Sequence, residues 1–568
     1  MKHAICLALV VLSSLVAPAR AADGDLSSKL ETYLGRLEKL GFSGTVLVAK
    51  DGKVLLEKGY GMADRERKIP MAADSVISIG SITKPFTAAA ILKLEMAGKL
   101  RVEEPIGRFF PGAPPEKAAI TIHQLLTHSA GLESDYGPTD YEAVSRDEIA
   151  RRVFAAPLRT PPGKEYFYSN AGYSLLAAIV EILSGQSYEA YLRANLFEPA
   201  GMKATGYKVA WRDGQVAHGY VDGKDWGTIL DKPWDKDGPY WNLRGNGGLH
   251  STAGDMYRWH LALEGEKILS KSAKDKYFKP HVPEDPEGHS YYAYGWAVFE
   301  TPRKTRLVAH NGSNGVFVAD FRRYVDENVV IYAASNGEMS ATALTEVLPA
   351  VVFGSEYAIP PAVVAVDATA MDRVVGSYAL SSGSRIDVTR DGATLRASAT
   401  GADTFALLHS PLPPEIAAKL NARVTTMVEA ASKGDYKPIA EAFDGMVPLA
   451  DVTKNESEMW NAMRERFGAF RRVEVLGSAR MRPMAATVAR LEFERGSRYM
   501  RFGWQQGQLV GIRVIDELPG ITLYPTSPAE FVSFNLRDPN PITVKVTGSS
   551  ITLRRGTVEV TASRPATK

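Results

Sequence analysis

The alternation of apolar and polar positions divides the chain into regions of different texture. Leu30, Leu34, Leu37 and Leu40 recur at helical spacing and predict an amphipathic helix over residues 26–40. Phe42 to Val48 and Val54 to Lys58 read as strands joined across Lys50-Asp51-Gly52-Lys53, since Asp-Gly between apolar runs is a strong hairpin signal. The stretch from Gly80 to Phe86 opens a run through Leu92 that stops at Gly98, which predicts a central buried helix with Pro85 in its first turn. A helix is expected from Ile122 to the glycine before Leu132, and another from Ala171 to Leu183, started by Ser169 or Asn170. Tyr294–Glu300, Leu307–His310, Gly315–Phe321 and Val329–Ser335 then read as successive strands of an antiparallel sheet, with His310-Asn311-Gly312-Ser313 between two of them.

The texture changes after Ile359-Pro360-Pro361. Short strands at Val375–Leu380, Ser384–Thr389 and Thr394–Ala399 fit an up-and-down barrel. Pro411 to Phe443 is helical instead, with a break at Gly434-Asp435, and leads into strands at Val473–Ala479, Thr487–Glu494, Ser497–Trp504 and Leu509–Val514. From Ile521 the short-strand pattern resumes as far as Ala562. The fold class expected is α+β: an antiparallel sheet flanked by helices over 24–356, then a β barrel over 362–410 and 518–564 with an α+β insertion at 411–517. Two consecutive small β-rich domains are the alternative for the last third.

Composition narrows the function classes. With 568 residues there is chain for several domains, and a formal charge of +2 without long single-sign runs gives no footprint for nucleic acid. Residues 1–21 combine a basic start, a short apolar stretch and Ala19-Arg20-Ala21, the pattern of a secretory signal; the expected location is periplasmic or secreted, with no integral membrane segment after cleavage. The single cysteine, Cys6, falls within this leader, so the mature chain has no disulfide, cysteine nucleophile or thiolate metal site. His123 and His128 are five residues apart, on different faces of a helix, and no metal or other cofactor is expected. The aromatics Trp211, Trp226, Trp234, Tyr240 and Trp241 in one irregular segment either seal a core or line a pocket mouth.

The candidate chemistry starts at Ser81 and Lys84. Positions i and i+3 share a helix face, so the amine stands beside the hydroxyl and can activate it. Alone, S-x-x-K is more often a helix start with a solvated lysine. Further along the same chain come Tyr168-Ser169-Asn170 and His310-Asn311-Gly312, together with LLTHSAGL from Leu125 and GNGGLHSTA from Gly245. In this order the motifs resemble the serine beta-lactamase and penicillin-binding protein superfamily, in its class C beta-lactamase and D-alanyl-D-alanine carboxypeptidase branch, over roughly Phe42 to Phe353.

The resemblance implies a beta-lactamase/transpeptidase-like fold and an acyl-transfer serine hydrolase. Ser81 is the implied nucleophile and Lys84 its proton-transfer partner. Tyr168 is the implied base, acting as a phenolate if the lysine charge lowers its pKa from about 10. Asn170 would orient Lys84 and bind the substrate amide, and the N–H groups of Ser81 and Ser313, next to Gly312, would form the oxyanion hole. His310 stands where many beta-lactamases of this branch carry lysine, and with a reference pKa near 6.5 it is expected to hold partial charge. That points toward small-molecule or peptide substrates such as esters, amides and D-amino-acid peptides. Two alternatives stay open, a class C-type beta-lactamase and a binding or scaffold protein with little turnover; an α/β-hydrolase is not expected, as there is no G-x-S-x-G elbow. The barrel segment resembles a lipocalin-like β domain and the insertion an NTF2-like cone, whose roles could be ligand binding, shielding or stabilisation. Oligomeric state is not readable from the sequence.

Overall fold

The structure, a computed structural model, describes residues 23–565 apart from 138, 222, 445–446 and 482–483. The leader expected at 1–21 lies outside the described residues. The chain divides into two compact units, 1–357 and 358–568.

The first unit is built on an eight-stranded antiparallel sheet. Its spatial order is Lys53–Tyr60, Gly44–Lys50, Val329–Ser335, Val318–Tyr324, Arg306–Ser313, Ala297–Glu300, Ser290–Tyr292 and Val282–Pro283. Val329–Ser335 is buried at every position, because helices cover both of its faces. On one side lies Ala341–Phe353; on the other lies Ala253–Glu264, whose Trp259 packs at 4.7 Å against Phe86 in the central helix Thr83–Met96. The sheet register sets Val46 against Ala333 and His310 against Phe321. The N-terminal helix Asp23–Lys39 lies along the edge strand, where Ser27 Oγ donates to the Leu55 carbonyl at 2.9 Å.

Three local readings change. Ser81 sits in a 3-10 turn, Gly80–Ile82, that runs into the α-helix at Thr83 rather than in the helix itself. The helix begun at Ile122, fixed by a Thr121–Gln124 capping box, ends at Leu126; His128 at φ +56° and Gly131 at φ +71° turn the chain out of it. His310 to Ser313 do not lie between strands but form the end of one, Arg306–Ser313.

In the second unit eight strands close a barrel, and Thr394–Thr400 pairs directly with Gly520–Ser527. Everything between those two strands is therefore inserted into the barrel. The insertion holds a four-stranded sheet from Phe470 to Ile515 packed on helices Pro414–Ala431, Lys437–Ala442 and Leu449–Phe467, with Trp460, Trp504 and Phe493 in its core. Two of its helices were not foreseen. Leu449–Phe467 fully buries only Val452, Glu456, Trp460 and Met463, a stripe too thin to show as periodicity, and Ala402–Leu408 occupies a stretch assigned above to the barrel.

Candidate active site

The site begins with a close approach of backbones. A Cβ on Gly312 would stand 2.0 Å from the Ile79 carbonyl oxygen and 2.6 Å from Ser81 N, and one on Gly80, at φ +50°, would stand 2.6 Å from Ser313 N. Only glycines let the strand end and the 3-10 turn meet. The backbone nitrogens of Ser81 and Ser313 both lie at this approach.

Lys84, on the next turn, is fully buried. Its Nζ lies 3.0 Å from Ser81 Oγ, 2.8 Å from Asn170 Oδ1 and 2.9 Å from the Asn246 carbonyl. Three acceptors match the three hydrogens of an ammonium, and the Tyr168 ring at 4.7 Å adds a cation–π contact. Burial works the other way and brings the amine down to about 7, partly offset by Asp135 and Asp140. Lys84 is thus balanced between charge states near neutrality.

Asn170 is the first residue of helix Asn170–Ser184, and Ser169 is its N-cap, with Oγ accepting from Gly172 N at 3.2 Å. Ser169 takes the capping position, and Asn170 follows it with Oδ1 against Lys84. The Asn170 amide nitrogen donates to Asp135 at 2.9 Å, which turns its oxygen toward Lys84.

The Tyr168 hydroxyl is close enough to Ser81 to interact with it, but its pKa does not fall. Burial raises it well above the ordinary phenol value, and the contact with Ser81 only moderates this. The expected phenolate is corrected to a neutral phenol. Its ring stacks at 4.3 Å on His128, an imidazole buried among Tyr166, Tyr168, Tyr173 and Tyr292 whose Nδ1 accepts from the Ser169 N–H at 3.1 Å.

His310 requires a second correction. Both ring nitrogens are engaged: Nδ1 donates to the Asn311 carbonyl at 2.6 Å, and Nε2 accepts from the Tyr292 hydroxyl at 3.0 Å. Burial first, and Lys84 second, lower its pKa to about 3. The imidazole is neutral, not partly charged, and acts as a wall of the site.

Sequence reasoning missed the Asn246 carbonyl, Asp135, His128 and Tyr292. Asn246 and His128 lie within stretches quoted above, yet a main-chain acceptor and a ring wedge leave no residue-type signal; Asp135 and Tyr292 lie outside every motif. Two hollows open from the motif residues. One of about 540 Å³ is bordered by Asn170, Ser313, Asp135 and Asp140; one of about 1020 Å³ is bordered by Tyr168, His310, Asn311 and Glu284. Of the aromatic segment, Trp241 seals the core, while Trp211 and Trp234 line a separate hollow with Lys208 and Lys232.

A family model described as Beta-lactamase matches residues 31–351. Penicillin-binding protein 4* of Bacillus subtilis (strain 168) is 31% identical over 386 residues, spanning 63% of this chain and 84% of that one. Protein flp of Staphylococcus aureus (strain N315) is 34% identical over 323 residues, spanning 52% of this chain and 60% of its own length. Among solved structures, the octameric penicillin-binding protein homologue from Pyrococcus abyssi aligns over 95% of this chain and 99% of its own, with a TM-score of 0.52 at 20% identity. EstCE1, a hydrolase with promiscuous acyltransferase activity, aligns over 58% and 99%, with a TM-score of 0.50 at 20% identity. At these identities the structural likeness is one of fold.

Proposed function

Because the chain belongs to the beta-lactamase family and is a serine hydrolase, we propose that it cleaves amide or ester bonds of small substrates through an acyl-enzyme on Ser81. The observation that carries this reading is the triple hold on Lys84 beside Ser81, at a pKa of about 7. The neutral amine takes the Ser81 proton as Oγ bonds to the substrate carbonyl carbon. The tetrahedral oxyanion is received by the N–H groups of Ser81 and Ser313, an interaction of about 3 kcal/mol per donor where such donors have been removed. Tyr168, a neutral phenol in contact with Ser81, relays the proton to the departing nitrogen or oxygen. Water then attacks the acyl-enzyme, and the proton path runs in reverse to restore Ser81.

Peptides, amides and esters of D-amino acids fit this cleft better than anionic lactams. An anionic antibiotic needs a fixed cation at the third motif, and His310 is neutral with both nitrogens engaged. Asp135, Asp140 and Glu284 border the hollows on either side. We read residues 1–21 as an export leader, on their basic start and small-residue cleavage pattern, which puts this chemistry in the periplasm or outside the cell.

Intact-mass measurement after incubation with a fluorophosphonate tests the nucleophile: one covalent adduct is expected, absent in Ser81→Ala, and absence of any adduct would overturn the reading. A panel of D-alanyl peptides, D- and L-amino-acid amides, short-chain esters and a chromogenic lactam then sorts the substrates. Ester turnover with weak lactam turnover is expected. Acylation without turnover on every member would instead favour a binding protein.

A further inference from the structure

The third acceptor on Lys84, the Asn246 carbonyl, lies in the run Gly245-Asn246-Gly247-Gly248, whose three glycines give the main chain little stiffness of its own. Its place is fixed from outside. The Tyr207 hydroxyl accepts from the Gly245 N–H at 2.9 Å and donates to the Gly247 carbonyl at 3.1 Å, so one phenol grips the chain on both sides of Asn246. Thr87, one turn beyond Lys84 on the same face of the central helix, donates from Oγ1 to the Gly245 carbonyl at 2.6 Å and is bonded in turn to the Tyr188 hydroxyl. The Asn246 side chain adds a further tie, with Nδ2 donating to the Asn242 carbonyl at 2.8 Å and to Ser174 Oγ at 3.0 Å. Tyr207 and Thr87 are fully buried, and burial keeps the Tyr207 phenol protonated, so its hydroxyl retains the hydrogen it donates.

This hold matters because of what happens to the other two acceptors. Ser81 Oγ becomes an ester oxygen on acylation, and Asn170 belongs to a side chain that is also drawn by Asp135. The Asn246 carbonyl stays an acceptor through both half-reactions. A hydrogen bond to the charged form favours that form, so this carbonyl supports the ammonium against the burial that disfavours it. Of the other groups facing Lys84, Tyr168 and Tyr173 offer ring faces, His128 and His310 are neutral imidazoles, and Asp135 and Asp140 act through their charge. None of these is altered by a change at Tyr207 or Thr87.

We propose that Tyr207 and Thr87 are positioning residues for the chemistry at Ser81: together they hold the Asn246 carbonyl on the Lys84 amine, and so set the pH at which Lys84 becomes a base. The inference rests on Lys84 being the base for Ser81.

The test is the pH profile of kcat/KM for a short-chain ester, with the pH dependence of fluorophosphonate inactivation as a second readout that records reaction at Ser81 without turnover. In Tyr207→Phe the loop is released and the ammonium loses part of an acceptor. The inflection near 7 should then move down by about half a pH unit or more, and the share of the plateau rate kept at pH 6 should rise about two- to threefold. Thr87→Val should move the inflection the same way, whereas Thr87→Ser, which keeps the hydroxyl, should leave it in place. Should Tyr207→Phe fail to fold, the Thr87 pair carries the test. A lower plateau with the inflection unmoved, or Thr87→Ser shifting it as far as Thr87→Val, would overturn the proposal. A wild-type profile with no inflection near neutrality would instead remove Lys84 as the base, and this inference with it.

Discussion

Lys84 Nζ lies 3.0 Å from Ser81 Oγ in a site where burial has brought the amine down to about 7. The base is its deprotonated form, and that fraction grows as pH rises. The rate of acylation, read as kcat/KM for a short-chain ester, should therefore climb about tenfold per pH unit below 7 and level off above it. Lys84→Met should lose about 10³-fold, within the range for a positioned base. A flat profile across neutral pH would contradict the assignment.

Tyr168→Phe separates the hydroxyl from the ring. The ring keeps its stacking on His128 at 4.3 Å, so the melting temperature should hold to within a few degrees. The proton relay to the leaving group is lost, and kcat should fall about 10²-fold or more with little change in KM. The fall should be smaller for esters with acidic leaving groups, which depart without a proton.

His310 is held neutral by burial, with a pKa of about 3. Its ring signals in an NMR titration should not move between mildly acidic and mildly basic pH. Accordingly, the pH–rate profile should show no inflection near 6.5 from this residue. A titration midpoint for His310 close to the free-imidazole value would restore the charged reading.

Gly312→Ala tests the backbone approach. The new Cβ would lie 2.0 Å from the Ile79 carbonyl oxygen, which cannot rotate away, so strand and turn must separate. Overpacking of this kind costs about 1–3 kcal/mol. Activity should suffer more than stability, at about 10²-fold or more, because the separation moves the Ser81 and Ser313 amides apart. Unfolding by denaturant and ester kinetics on the same sample measure both effects.

Glu456 is an unforeseen feature of the insertion, 9% exposed and with Oε2 lacking a partner. Burial lifts its carboxyl from 4.5 to about 7. The folded state thus holds this proton more tightly than the unfolded one. Stability is favoured below pH 4.5, declines as pH rises toward 7, and stays lower beyond, by about 3 kcal/mol in total. Glu456→Gln should flatten that dependence, seen in denaturant unfolding at a series of pH values.

Ser81, Lys84, Tyr168, Asn170 and His310 were legible because each belongs to a short motif and the motifs fall in one order. The sheet was legible because strands such as Val329–Ser335 are apolar up to their last residue. Charge state was not, since residue type gives a reference pKa and burial decides its direction. Tyr168 and His310 were both read as more charged than burial allows. The contributions of His128, Tyr292 and the Asn246 carbonyl come from packing and main chain, and they depend on contacts between segments far apart in sequence. Helix Leu449–Phe467 was missed for a related reason: polar residues occupy most of it, and its partners are supplied by the sheet that follows.

The pairing of Leu395 with Leu523 closes the barrel only after the whole insertion has been made. In chain order Gly376–Ala379, Arg385–Asp391 and Thr394–Thr400 come first, and until Gly520–Ser527 arrives Thr394–Thr400 has an unpaired edge. The inserted sheet joins neighbours in sequence, so its contacts are local and form early. Once formed, it brings Thr394–Thr400 and Gly520–Ser527 together across a far shorter effective loop. Truncation or slow folding of the insertion would therefore leave three β strands exposed to pairing with other chains, making this segment the assembly checkpoint of the second unit.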